Sequence, residues 1–386
     1  MKSFLESLAL LDEEQKSIIL NTTQKILAQN IVTDTEYLTQ ITNNLNIKIL
    51  KAGDDNSRLN GLYSNDVLLG GNGKDYLYGE NGDDILIGGS GNDYLNGSRG
   101  NDTYVFGKNW GVDSIYNYDS YRINDDSKDI IEFKDGIKLS DLSFSSNSNY
   151  DLIITQGNNK IIAEYALGDN YYKIDKVRFD DNTELSFADL RKLVLQGKDS
   201  TQNLYGFMDV ENTVNAGSGN NYVYGNSKDD ILNGEDGDDR IYGGNGNDTL
   251  DGGNGKDYLY GENGDDILIG GSGNDYLNGS RGNDTYVFGK NWGVDSIYNY
   301  DSYRINDDSK DIIEFKDGIK LSDLSFSSNS NYDLIITQGN NKIIAEYALG
   351  DNYYKIDKVR FDDNTELDFE QIKLLSALAS KNADII

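Results

Sequence analysis

The sequence predicts a mainly β protein: two parallel β-solenoid arrays, each followed by a module of short strands, with a small helical cap at the N-terminus. Two observations carry this reading. First, residues 225–287 are seven nine-residue units in register: GNSKDDILN, GEDGDDRIY, GGNGNDTLD, GGNGKDYLY, GENGDDILI, GGSGNDYLN and GSRGNDTYV. Position one is always Gly and position six always Asp, and position eight is Leu232, Ile241, Leu250, Leu259, Leu268, Leu277 or Tyr286. Second, residues 70–185 recur letter for letter as 252–367, an offset of 182, so whatever one copy folds into the other must also adopt.

The unit has a physical reading. Glycines at positions one, two and four permit the positive φ that a tight turn requires. The last three residues suffice only for a short strand, in which position eight points inward and positions seven and nine point out. A flexible Gly/Asp/Asn linker has no reason to keep an apolar residue every nine positions.

Composition narrows the chemistry. A chain of 386 residues accommodates two or three domains. Its formal charge of −31 argues against nucleic acid as a partner. The 28 Tyr, with abundant Ile and Leu, argue against a disordered acidic tail. With neither His nor Cys, a Ser-His-Asp triad, a cysteine nucleophile and an HExxH zinc site are excluded. The Asp residues are so regularly phased that metal ligation accounts for them better than a glycosidase acid pair does. The expectation is a protein that is not an enzyme. No segment is apolar over a membrane-spanning length, and MKSFLESLALLDEEQK lacks a signal-peptide core.

In chain order, residues 1–50 are expected as the helical cap. Phe4, Leu5, Leu8, Leu11, Ile18, Ile19, Ile26 and Leu27 have helical spacing, a second helix runs from Thr33 or Asp34 to Asn44, and NIKIL is a leading strand. The first array occupies 51–105, opening with the degenerate unit GLYSNDVLL. Residues 106–185 form the first β module, with antiparallel strands capping the array; Asp113–Ile115 and Asp129–Ile131 keep the Asp-then-apolar rhythm, so the solenoid can continue there through longer turns. Residues 186–215 are a helix with an S-x-x-D capping pair, Ser186 and Asp189, and then either a linker or degenerate turns. The second array spans 216–287, its first unit carrying Asn221 in place of Asp, and the second module spans 288–367. Residues 368–386 end the chain with a helix capped by Asp368 and Gln371.

A turn of bare carbonyls followed by a carboxylate at fixed phase is a hard-oxygen cage. Calcium takes about six to eight oxygen ligands at roughly 2.3–2.6 Å, and without thiolate or imidazole the soft metals are poorly served. The units resemble the GGxGxDxUx nonapeptide of the RTX (repeat-in-toxin, haemolysin-type) calcium-binding proteins. The 106–185 block is similar to the haemolysin-type calcium-binding-related module that follows such arrays. The resemblance implies a β-roll in which two nonapeptides make one turn and each ion is shared by carboxylates eighteen residues apart. It pairs Asp66/Asp84, Asp75/Asp93 and Asp84/Asp102 in the first array. In the second it pairs Asp230/Asp248, Asp239/Asp257, Asp248/Asp266, Asp257/Asp275 and Asp266/Asp284. About eight calcium ions follow, with Asn221/Asp239 a further, weaker site. Turn glycines expected to contribute are Gly70, Gly79, Gly88, Gly243, Gly252, Gly261 and Gly270. Ser64 and Lys228 replace the fourth-position glycine, so their loops are expected to bind more weakly.

The resemblance also implies a bacterial protein that is secreted or held at the cell surface, exported by a type I secretion apparatus that reads the C-terminal segment, with a host-cell or surface target. The alternatives are the receptor-binding and secretion part of a cytolysin, or a calcium-dependent adhesin.

Overall fold

The computed structural model describes residues 48–122, 127–304 and 309–383, and the chain divides into two compact units, 1–191 and 192–386. The helical cap expected before residue 48 lies outside the described residues.

In the first unit successive strands alternate between two sheets as far as Ile130–Phe133. One has the spatial order Lys48–Lys51, Asp66–Asn72, Ile85–Ser90, Thr103–Phe106, Ile130–Phe133, Lys176–Phe179, Glu184–Ser186. The other runs Arg58–Leu62, Tyr76–Asn81, Tyr94–Arg99, Val112–Ile115, and then Asn159–Ala163, Leu152–Gln156 and Ser143–Ser145. Within each sheet the array strands are parallel and in register at an offset of two nonapeptides, Leu68 opposite Leu86 and Leu77 opposite Leu95. Parallel strands need a crossover, and here the neighbouring nonapeptide supplies it.

The core is the line of position-eight side chains between the sheets. Leu68, Leu77, Leu86, Leu95 and Tyr104 are fully buried, as are Leu232, Ile241, Leu250, Leu259, Leu268, Leu277 and Tyr286. Each nonapeptide contributes one residue to this line, so stacking of turns makes the core.

The roll continues past the nonapeptides. Ile115 pairs beside Leu95, and Ile131 beside Tyr104, across longer connections. Antiparallel pairing then closes each sheet, Leu152–Gln156 against Asn159–Ala163 and Lys176–Phe179 against Glu184–Ser186.

The second unit repeats this plan with sheets of nine and eight strands. Residues 198–215 are turns of the roll, not a linker: Asn203–Tyr205 and Thr213–Asn215 pair in parallel with Tyr222–Asn226 and Ile231–Asn233, before the expected start at Ala216. The helix Phe187–Val194 begins with a reciprocal cap, Ser186 N–H to Asp189 Oδ2 at 3.0 Å and Asp189 N–H to Ser186 Oγ at 3.2 Å. Asp368 and Gln371 cap Phe369–Ala383 in the same way at 2.9 Å each. Among the described residues no helix is long and apolar enough to cross a membrane.

Candidate functional site

Every phase-six aspartate lies inside the roll. Asp66, Asp75, Asp84, Asp93, Asp102, Asp230, Asp239, Asp248, Asp257, Asp266, Asp275 and Asp284 are all buried. In all but Asp66, whose Oδ1 accepts the Ser64 hydroxyl, Oδ1 accepts a backbone N–H from the preceding turn. The eight pairs named above are joined in this way, at 2.7 Å for Asp66 to Asp84, 2.8 Å for Asp75 to Asp93 and 2.9 Å for Asp84 to Asp102. The second array gives 2.7, 2.8, 2.8, 2.9 and 3.0 Å for the pairs beginning at Asp230, Asp239, Asp248, Asp257 and Asp266.

The other oxygen is the informative one. Oδ2 of Asp75, Asp84, Asp93, Asp102 and of all seven aspartates from Asp230 to Asp284 is buried with no hydrogen-bond partner. An unpaired buried carboxylate oxygen is among the costliest arrangements a fold can hold. Burial pushes the Asp84 and Asp257 carboxyls up to about 8 and Asp266 to about 7, against the pull of the N–H each accepts. It pushes Asp93, Asp230, Asp239, Asp248 and Asp275 to about 6. A nearby cation would reverse each shift.

The position-one glycines form the floor of this arrangement, for a reason other than the one the sequence suggested. Gly70, Gly79, Gly88, Gly243, Gly252, Gly261 and Gly270 are absent from the positive-φ residues, whereas Gly71 and Gly73, at positions two and four, have φ of 104° and 96°. What position one requires is room. A Cβ on Gly252 would lie 2.5 Å from Asp257 Oδ2 and 2.6 Å from the Gly270 carbonyl oxygen. On Gly70 it would meet Gly88 O at 2.3 Å and Asp75 Oδ2 at 2.7 Å. Carboxylate oxygen and next-turn carbonyl thus converge on one small space at Gly70, Gly79, Gly243, Gly252 and Gly261, while at Gly88 and Gly270 the nearest atoms all belong to the aspartate. Among the described residues no three carboxylates cluster closely enough to hold a metal by themselves, so a cation here draws on backbone carbonyls as well. That donor set, hard oxygens of both kinds with orphaned carboxylate charge, fits calcium. Bound there, calcium would supply the positive charge and the coordination that the orphaned oxygens require. The phase-six aspartates would hold it, with the loop carbonyls.

Two further acidic residues share the pattern. Asp113 and Asp295 accept N–H bonds from Asp93 at 2.8 Å and from Asp275 at 2.9 Å, and their Oδ2 atoms are also buried and unpartnered. Burial raises both to about 8. They lie outside the nonapeptides, and their only signal in the sequence is the Asp-x-apolar rhythm. The other row, through Asp84 and Asp102, ends differently. Asp129 accepts the Asp102 N–H at 2.7 Å, but its Oδ2 takes Asn117 Nδ2 at 2.6 Å and the Arg122 guanidinium. Arg122, itself buried, also binds Asp175. Arg304, Asp311 and Asp357 repeat this in the second unit. A fixed cation of the protein stands beside the last carboxylate.

A repeat-family match agrees with this geometry. The profile of the RTX calcium-binding nonapeptide repeat family matches in four copies, at residues 51–86, 69–104, 215–250 and 251–286. The chain is 40% identical over 121 residues to iron-regulated protein FrpA of Neisseria meningitidis serogroup C, a match covering 30% of this chain and 10% of that one. It spans about a tenth of the length of that relative. Among solved structures, extracellular lipase LipA from Serratia marcescens is 19% identical with a TM-score of 0.22, covering 77% of this chain and 37% of the lipase. A hyperactive, Ca2+-dependent, β-helical antifreeze protein from an Antarctic bacterium is 13% identical with a TM-score of 0.20, covering 83% and 94%. The repeat profile lies along both rolls, so the chain carries RTX calcium-binding nonapeptide repeats at residues 51–104 and 215–286.

Proposed function

We propose that this is a secreted or cell-surface protein whose two β-rolls fold on meeting extracellular calcium, with no catalytic centre of its own. The observation that carries the reading is the set of buried, unpartnered Oδ2 atoms on Asp75, Asp84, Asp93, Asp102 and the seven phase-six aspartates from Asp230 to Asp284. Without a cation those carboxylates oppose the fold at neutral pH. With one, each loop becomes a source of stability. For a dissociation constant on the order of 10⁻⁴ M, calcium at ~10⁻³ M contributes about 1.4 kcal/mol per site. About eight such sites approach the whole stability of a typical domain, and the contribution vanishes at cytosolic calcium. A chain that stays loose inside the cell suits a type I channel, and folding outside opposes its return.

Calcium titration of the full chain, followed by circular dichroism, tests this. The expected result is a cooperative rise in β content at millimolar calcium that magnesium does not reproduce, since magnesium demands octahedral geometry at about 2.0–2.1 Å and sheds water reluctantly. Equal folding in either ion rules the reading out.

A further inference from the structure

Two early loops of the second roll carry an amide where the pattern has a carboxylate: one ends at Asn212, and the other ends at Asn221 and opens with Ala216 in place of Gly. In the loop that ends at Asp230, a Cβ on Gly225 would meet Gly243 O at 2.5 Å and Asp230 Oδ2 at 2.6 Å. One turn earlier, a Cβ on Gly206 would meet Gly225 O at 2.5 Å and Asn212 Nδ2 at 2.9 Å. The cradle is the same, with an amide nitrogen where the carboxylate oxygen stands.

That nitrogen is well supplied with acceptors. Asn212 Nδ2 lies 3.0 Å from Phe207 O and 3.1 Å from Val210 O, with Asp230 Oδ1 at 2.9 Å. Asn221 Nδ2 lies 3.0 Å from Gly219 O and 3.3 Å from Ala216 O. Both side chains are buried. Their orientation is set by the opposite end of the amide: Asn212 Oδ1 accepts Phe207 N–H at 2.7 Å, and Asn221 Oδ1 accepts Gln202 N–H at 2.8 Å. Turning either amide over would set N–H against N–H and oxygen against carbonyls. The loop carbonyls that elsewhere await a cation are here bonded to a donor the chain supplies.

We infer that Asn212 and Asn221 replace calcium with their own amide groups, so that the second roll opens with metal-independent loops and its row of ions starts at Asp230. The inference rests on the calcium reading above and corrects the expectation of a weak Asn221/Asp239 site. A neutral amide satisfies the carbonyls without adding charge beside Asp239 and Asp230, whose Oδ1 atoms accept the Asn221 and Asn212 N–H groups at 2.6 Å. The rungs these loops join, Leu204 beside Val223 and Val214 beside Leu232, are buried like the rest of the core. They give the calcium-dependent turns a neighbour that calcium removal does not charge.

Native mass spectrometry of the full chain in calcium, with thermal melts in calcium and in EDTA, tests the inference. Asn221→Asp and Asn212→Asp should each add one bound calcium over the wild type and lower the melting temperature in EDTA. Asn221→Ala should leave the ion count unchanged while lowering the melting temperature in both conditions. An Asn221→Ala chain that loses an ion makes the Asn oxygen a ligand and overturns the inference. So does a calcium-binding wild type whose Asp variants bind no additional ion. A wild type that binds no calcium overturns the underlying calcium reading instead.

Discussion

Asp257 donates its backbone N–H to Asp275 Oδ1 at 2.9 Å, and in both residues the second carboxylate oxygen is buried without a partner. One oxygen of each pair holds the turns in register, and the other waits for a charge. Register and ion demand therefore reside in the same side chain.

The pH dependence follows with a definite sign. Asp230, Asp239 and Asp248 are raised to about 6, Asp266 to about 7 and Asp257 to about 8, above the ordinary value near 3.9. A carboxyl raised by folding favours the folded state below its unfolded pKa and loses that contribution as pH rises through the folded value. In EDTA the melting temperature should fall from pH 5 to pH 8. In calcium, which competes with the protons, the midpoint concentration for folding should fall over the same range. A flat EDTA profile would refute the burial argument.

Asp257→Ala should raise the calcium midpoint more than Asp230→Ala. Asp257 is bonded to aspartates on both sides, Asp239 and Asp275, whereas Asp230 has Asp248 on one side and Asn212 on the other. Calcium titrations by circular dichroism compare them, and equal shifts would contradict the shared-carboxylate arrangement.

Gly252→Ala and Gly318→Ala separate room from backbone conformation. At Gly252 the added Cβ meets Asp257 Oδ2 and Gly270 O, while at Gly318, with φ of 73°, it meets nothing within 4 Å. Gly318→Ala should cost about 1 kcal/mol and, spread over several coupled ions, move the calcium midpoint by less than about twofold. Overpacking typically costs about 1–3 kcal/mol, and Gly252→Ala loses ion contacts besides, so its midpoint should rise by roughly fivefold or more. Thermal melts and calcium titrations read both.

Arg304→Ala should destabilise the second unit even in saturating calcium, by roughly 3–5 kcal/mol, because it strips the cation from buried Asp311. Differential scanning calorimetry of the full chain checks this. A change confined to EDTA would assign Arg304 to ion binding instead.

Export gives the fifth expectation. Deleting residues 368–386 should abolish secretion through a type I exporter while calcium-induced folding of the second array persists. Some stability will be lost, since Ile372 is buried. Comparing both chains in the medium tests it, and undiminished export would place the signal elsewhere.

Much of this was legible because it is one-dimensional. A nine-residue period with apolar residues at one phase and Asp at another dictates short strands, an inward Leu line and a carboxylate per turn. The capping pairs Ser186/Asp189 and Asp368/Gln371 were readable for the same reason, as they involve neighbours along the chain. The eighteen-residue pairing came from resemblance to a known repeat, since the period of nine by itself does not say which turns stack.

What closes each row was decided by the tertiary structure. Asn221 reads in the sequence as a weakened Asp, and only the carbonyls of Ala216 and Gly219 around Nδ2 make it a replacement for the ion. Arg122 reaches Asp175 across 53 residues, and the connections to Asp113 and Asp129 span 20 and 27 residues where the repeat has eighteen. Position-one glycine looked like a turn residue until the neighbouring turn placed a carboxylate and a carbonyl against it. A repeat period specifies what each residue offers, but which donor or charge meets an orphaned oxygen depends on segments that fold back from far along the chain.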